Sequence, residues 1–438
     1  MKRKRSVKWS IVCLSVLVTA FCLSGCYSVE EVDTKAYPIA IAIDKIGEKI
    51  ELGVQFGKVI KGAEGGTPTE EGNIVIKYEG LSIYDAFEKL NNRTSKQLSY
   101  AQLKAIILSE EFAREGILPL IYSLVNSYNV YPNLYVMVSA GSAVRYLDEQ
   151  KIWLETTPSK FYELFYDKAY RSFLNVMTIS EIAFSQISSQ GEIVIPYITY
   201  VQNEKGNNDS QDKKEESEGG NGEKDSGGEQ AENNIKLDSE TKKEFNDNQV
   251  LSVTPSKSEI TRLAVFKDGK MLDYLEGEEI EAYGLIKGHY FKANISVPVE
   301  EDFSRLINIY IQNKVKPIKK VKIVDGVPHI FIDINVEVTK ISSVSAPEYL
   351  RDIPKAEELI ERYIKKICME LVTNTKYVYN SDILGFGEYA KSDFKTYKEL
   401  EEFDWKKNYK NAEFEINVKA ETFTNYLVLD PNYEVQEH

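Results

Sequence analysis

The chain has few of the residues that carry most catalytic and metal chemistry. Four cysteines and three histidines occur in 438 residues. His289, His329 and His438 are far apart and form no metal-ligand spacing. There is no Gly-x-Ser-x-Gly elbow, phosphate loop, dinucleotide fingerprint or His-Glu-x-x-His. The usual sequence grounds for a hydrolase, a nucleotide enzyme or a zinc protease are therefore missing, and no cofactor or metal is expected. Positive charge is also short. The formal net charge of −14 argues against nucleic acid, and against a purely electrostatic grip on an anionic membrane.

What is present begins with Cys26. Lys2, Arg3, Lys4, Arg5 and Lys8 precede an apolar stretch from Trp9 to Leu23, followed by Ser24-Gly25-Cys26. The stretch is shorter than the roughly 20 residues that span a bilayer. It has the length and basic flank of a secretory leader. Small Ser24 and Gly25 suit a peptidase site, and the next thiol can be alkylated with diacylglycerol. The order reads as a lipoprotein signal peptide over residues 1–25, cleaved between Gly25 and Cys26, with lipid on Cys26. Two acyl chains anchor stably where one is marginal. The alternative is an uncleaved signal anchor, since Cys13 and Cys22 also lie in the segment. Cleavage removes five basic side chains and no acidic ones, leaving −19. Only Cys26 and Cys368 then remain, so an acylated Cys26 leaves no internal disulfide.

The rest alternates strand and helix patterns, which sets the class as α+β (mixed α/β). Pro38–Asp44 and Ile50–Phe56 read as a hairpin, followed by a strand near Ile74–Tyr78. Ser82 and Ser109 are placed to cap helices. Gln102–Leu108 and Leu134–Ser139 are strand-like, and Thr178-Ile-Ser-Glu181 is a capping box. From Asn203 to Gln230 there is no apolar residue, a composition that cannot offset chain entropy. Asp268-Gly269 and Asp325-Gly326 each join apolar runs as tight hairpin turns. Ile330 to Val338 alternates apolar and mostly polar side chains. Ala356, Leu359, Ile360, Tyr363, Ile364, Ile367 and Leu371 form a helical stripe, and Phe414–Ala420 is a closing strand.

Three domains are expected, each a mixed or antiparallel sheet with packed helices. They are an N-terminal domain at 26–150, a middle domain at 151–290 with a disordered acidic insert at 203–250, and a C-terminal domain at 291–438. Cys368 falls within the amphipathic stripe and reads as a core or flanking residue. The acidic pairs Glu278-Glu279 and Glu300-Glu301 read as solvated faces.

Several blocks, taken in order, resemble the Ger(x)C family of spore germination lipoproteins. These are the segment Leu23–Cys26, Pro38–Asp44, Glu79–Phe87 and Leu103–Ile117. Leu263–Lys270 and Asp382-Ile-Leu-Gly-Phe-Gly387, with Trp405 downstream, complete the set. The insert at 203–250 is longer than the family pattern, and the tail after Phe423 lacks an expected glycine. The resemblance implies a non-enzymatic C subunit of a nutrient germinant receptor on the outer face of the inner spore membrane. It implies integral membrane partners of A and B type, one of them transporter-like and expected to hold the nutrient. Asp382, Gly385 and Gly387 would then hold local geometry rather than a ligand. A surface solute-binding lipoprotein and an envelope hydrolase remain the alternatives.

The anchor is directly testable. Metabolic labelling with a palmitate analogue should mark the protein, and Cys26→Ala should abolish the label. A Cys26→Ala protein that still takes up label would exclude this anchor.

Overall fold

The structure is a computed structural model. It describes residues 14–15, 34–57, 73–126, 130–150, 158–170, 173–188, 191–200, 258–288, 291–313 and 315–423. Cys26, Gly25 and the insert at 203–250 lie outside the described residues.

An unbroken apolar run such as Ile39–Ile43 belongs in a sheet covered on both faces. A minor two-stranded pair, β1 (Lys35–Ala36) with β5 (Gln97–Leu98), precedes the large sheet in space. The large sheet contains β2 (Pro38–Ile46), β3 (Lys49–Gly57), β4 (Asn73–Gly80) and β6 (Ala105–Ser109). It continues with β7 (Tyr135–Ser139), β8 (Val194–Tyr200), β9 (Ser258–Lys267) and β10 (Lys270–Leu275). Their order is β10-β9-β8-β7-β6-β2-β3-β4. The inner strands β2, β6, β7 and β8 run parallel, and antiparallel strands close both edges. Ile41 and Ile43 face the helices Ile83–Arg93, Leu118–Val125 and Ile179–Ser188. Ala40 and Ala42 face the helices Ala143–Glu149 and Pro158–Tyr170. β2 is thus buried on both sides, as its composition demands.

β7 and β8 pair through Val138–Tyr197 and Ser139–Ile198. Strands from the expected 26–150 and 151–290 segments therefore share one sheet, and residue 150 does not coincide with an edge of it.

The second sheet contains β11 (Phe291–Val299), β12 (Asp302–Asn313), β13 (Ile318–Val324), β14 (Val327–Ser342) and β15 (Glu413–Thr422). The sixteen-residue β14 is central. Its first half pairs antiparallel with β13 and parallel with β15, and its end pairs with β12. Ile330, Ile332, Ile334, Val336 and Val338 are buried, each contributing about 1.5–3 kcal/mol. They lie in one core with the helix Ile353–Tyr377, whose seven expected stripe residues are all buried. Asp352 caps that helix by accepting from the Lys355 N–H at 3.2 Å. Val194, Leu263, Val265 and Leu275 of the large sheet join the same core. The two sheets are therefore packed together rather than merely linked.

Both Asp-Gly turns have positive φ at their two central residues, 49° and 76° at Asp268-Gly269 and 51° and 79° at Asp325-Gly326. That is the geometry a two-residue hairpin needs. The strand expected from Gln102 starts later, at Ala105, because Leu103 N–H closes a turn onto the Tyr100 carbonyl at 3.1 Å. Glu278-Glu279 is corrected too. It opens the helix Glu278–Lys287, which buries Ile280, Tyr283, Leu285 and Ile286. Glu278 accepts from the Tyr363 hydroxyl at 3.2 Å, and Glu279 from Asn374 at 2.9 Å. Carboxylates at a helix start suit its dipole, and here they also reach the facing helix. Cys368 is fully buried, and burial pushes its thiol far above the ordinary range. Among the described residues, no helix is long and apolar enough to cross a membrane.

Burial pushes the Glu281 carboxyl up to about 7, helped by neighbouring Glu278 and opposed by the Tyr363 hydroxyl. The folded state therefore holds this proton more tightly than the unfolded chain. Its contribution to stability is complete below the ordinary value of 4.5 and is lost as pH rises through about 7. In urea titrations, Glu281→Gln should gain on the parent as pH rises across that window. A difference between the two proteins that does not change with pH would refute the assignment.

Candidate functional site

An acidic side chain buried beside an apolar run needs a specific set of donors. Asp382, followed by Ile383, Leu384 and Phe386, is such a residue and is only 7% exposed. Gly385 turns the chain back with φ of 75°, a conformation open to glycine at little cost. The turn aims successive amides at the carboxylate. Oδ1 accepts from Gly385 N–H at 2.9 Å and Phe386 N–H at 3.0 Å. Oδ2 accepts from Gly387 N–H at 2.8 Å and from the Trp405 indole N–H at 2.9 Å. Burial pushes this carboxyl up; the Gly387 and Phe386 amides, the Trp405 indole and the Lys287 ammonium pull it back. With four N–H donors and no acceptor among these partners, the ionised form is the one the geometry serves.

The same segment ties the two sheets together. Glu192 N–H donates to the Asp382 carbonyl at 3.1 Å. The Ser381 hydroxyl donates to the Phe266 carbonyl at 3.0 Å. A Cβ on Gly191 would stand 3.0 Å from the Gly385 Cα, so the two backbones meet where only glycine fits. Around this contact, Glu192 accepts from Asp268 N–H at 3.0 Å and pairs with Lys406 at 2.8 Å. Lys406 also reaches Asp268 at 2.6 Å. The cavity here, lined by Gly191, Glu192, Asp382 and Trp405 among others, is about 20 Å³. That holds one water; ligand pockets run to several hundred Å³. The clasp is a joint, with no room for a substrate.

The structure thus brings together Asp382, Gly385 and Gly387, which the sequence singles out, with Trp405. Sequence reasoning did not supply Glu192 or Lys406, and read Asp268 only as a turn residue. A signal for Glu192 exists, since Gly191-Glu192 directly precedes an apolar strand as Asp382 precedes an apolar turn. Asp44 is another buried carboxylate, 4% exposed, near the end of β2. It accepts from Ala143 N–H at 2.6 Å and from the Ser142 hydroxyl, capping the helix Ala143–Glu149 from a neighbouring strand. Burial raises its carboxyl against those bonds.

A recess of about 600 Å³ opens where the parallel strands β2 and β6 end, where open α/β sheets commonly bind ligands. Asp44, Glu51, Glu110, Glu111 and Arg114 line it. Arg114 is already committed to Glu110 at 2.6 Å and to the Leu272 carbonyl at 2.6 Å. Among the described residues, no group of three or more His, Cys, Asp or Glu is arranged to hold a metal ion.

The clasp predicts a stability hierarchy. Trp405→Phe removes one donor to a charged acceptor and should cost about 1.5–3 kcal/mol. Asp382→Ala strands four buried donors and should cost about 3–5 kcal/mol or leave no folded protein. Urea denaturation measures both; an Asp382→Ala protein as stable as the parent would show the clasp to be dispensable.

The family described as the spore germination protein N-terminal domain matches residues 28–200. The family described as spore germination B3/GerAC like, C-terminal, matches residues 261–422. YfkR of Bacillus subtilis (strain 168), which carries a spore-germination name, is 26% identical over 153 residues, 34% of this chain. That match spans 40% of the relative, less than half its length. The crystal structure of the GerBC protein aligns with 90% of this chain and 99% of its own, with a TM-score of 0.49 and 13% identity. The clasp joins Glu192 in the first matched region to Asp382 in the second. Matched in order by both family models, over residues 28–200 and 261–422, the chain belongs to the Ger(x)C family of spore germination proteins.

Proposed function

We propose that the protein is a non-enzymatic subunit of a spore nutrient germinant receptor. Lipid on Cys26 holds it at the outer face of the inner spore membrane, and it acts by contact with integral membrane subunits of A and B type. The observation that carries this reading is the ordered match of both family domains over residues 28–200 and 261–422. The clasp supports it. A carboxylate committed to four donors in a cavity of about 20 Å³ is spent on joining two sheets. The joint ties the two matched regions together, which suits a protein that works through its surface. Lipid tethering confines it to the membrane plane and raises its effective concentration toward partners there.

The recess of about 600 Å³ at the parallel strand ends favours one second reading, a solute-binding lipoprotein. Calorimetry with nutrient mixtures separates the two. A tight, saturable signal from this chain alone would favour the second.

Deleting the gene should abolish germination with one nutrient while sporulation stays normal. Purification from detergent-solubilised spore membranes should recover two multi-pass proteins with this chain. Unchanged germination in the deletion strain would remove the proposed role.

A further inference from the structure

The basic residues of this acidic chain are not evenly spread. Lys316, Lys319, Lys320 and Lys322 fall within seven residues, with no acidic residue from 315 to 324. They run into and along β13, an outer strand of the second sheet. A groove of about 440 Å³ follows that strand, lined by Lys319, Lys320, Val321, Lys322, Phe331 and Tyr389, with Glu388 and Ser392.

Two independent features make this groove receptive to negative charge. The first is the backbone. Ile323 N–H points away from β14, because it donates to Asp393 at 2.7 Å. Strand hydrogen-bonding directions alternate, so Val321 and Lys319 N–H point the same way, toward the groove. The second is the arrangement of side chains. Lys319 Nζ lies 5.2 Å from the centre of the Tyr389 ring and donates to the Lys287 carbonyl at 3.3 Å. The Lys287 ammonium is close behind it. Burial, then Lys287, pushes the Lys319 ammonium down to about 8, with Asp382 opposing. Crowded, half-buried cations of this kind are stabilised by an added anion. The acids nearby are already committed: Asp393 pairs with Lys322 at 2.7 Å, and Glu388 with Lys391 at 2.7 Å.

We propose that the groove along β13 is a binding site for a phosphate-type anion, held by the edge N–H groups of Lys319 and Val321 and by the ammonium groups of Lys319 and Lys320. Phe331 and Tyr389 give the groove apolar walls, which suit a phosphate carried on an organic body. A phospholipid head group and a soluble phosphate compound share this chemistry. The site is independent of the receptor reading and of the Cys26 anchor.

The test is the acetylation rate of Lys319 in the full chain, read by mass spectrometry near neutral pH. The probes are inorganic phosphate, phosphatidylglycerol vesicles and phosphatidylcholine vesicles, against chloride at equal ionic strength. A bound anion that raises the amine by about one unit lowers its free fraction about fivefold or more. Slowing of that size by phosphate or by phosphatidylglycerol, but not by chloride, supports the site. Slowing by phosphatidylglycerol alone identifies a lipid head group, and by inorganic phosphate alone a soluble ligand. Val321→Pro removes one edge donor and should erase the protection. Lys320→Met removes one cation and should weaken it, which keeps the test available if the proline variant does not fold. No protection by either phosphate source, or equal protection by chloride, overturns the proposal.

Discussion

The Asp382 carboxylate is the constraint on which the assembly of the two sheets turns. A buried acid is unfavourable unless its acceptor sites are filled, and here one turn supplies three amides while the Trp405 indole supplies the fourth donor. Satisfying the acid fixes the path of Ser381–Gly387, and that path brings Ser381 and the Asp382 carbonyl against the large sheet. The Glu192–Lys406–Asp268 cluster then closes around the contact. The hydrophobic core shared by Leu263, Val265, Ile330 and Ile364 supplies area without direction. The clasp supplies direction, and so determines how that area is put together.

Much of this was legible in the sequence where one local rule decides. Ser82 and Ser109 accept from Asp85 and Phe112 amides as caps. Thr178 and Glu181 exchange the two bonds of a capping box. The two Asp-Gly turns and the stripe from Ala356 to Leu371 follow from φ preference and period. The misses have a common cause. Glu278-Glu279 reads as solvated because local pattern cannot reveal the helix that packs opposite. β11 and β12 carry the same alternation as β14, but Pro298 and the acidic turn at Glu300-Glu301 obscure it. The continuity of the large sheet past residue 150 depends on β7 meeting β8, a long-range pairing that no window of sequence contains. Asp382, Gly385, Gly387 and the downstream Trp405 were visible as a motif; the contacts of that motif with the large sheet were not.

Charge is organised as well as abundant. Among the described residues, most acidic side chains are exposed, while the lysines around β13 are gathered on one strand. A body with overall negative charge is repelled by an anionic surface at long range. At contact, within a Debye length of about 8 Å in physiological salt, a local basic strip counts for more than the total. Net charge and local recognition can therefore point in opposite directions on the same molecule.

The parallel pairing of β14 with β15 has a consequence for the order of events during folding. β15 enters the chain roughly seventy residues after β14 ends, beyond the long helix and the Asp382 turn. Until it arrives, one side of the sixteen-residue β14 is bare backbone, a template for mispairing. Contacts so distant in sequence also form slowly. The hairpin of β13 and β14 can close at once through Asp325-Gly326, but the sheet cannot be sealed until the late strand is delivered. The vulnerable species in the life of this molecule is thus a half-built sheet awaiting its last strand.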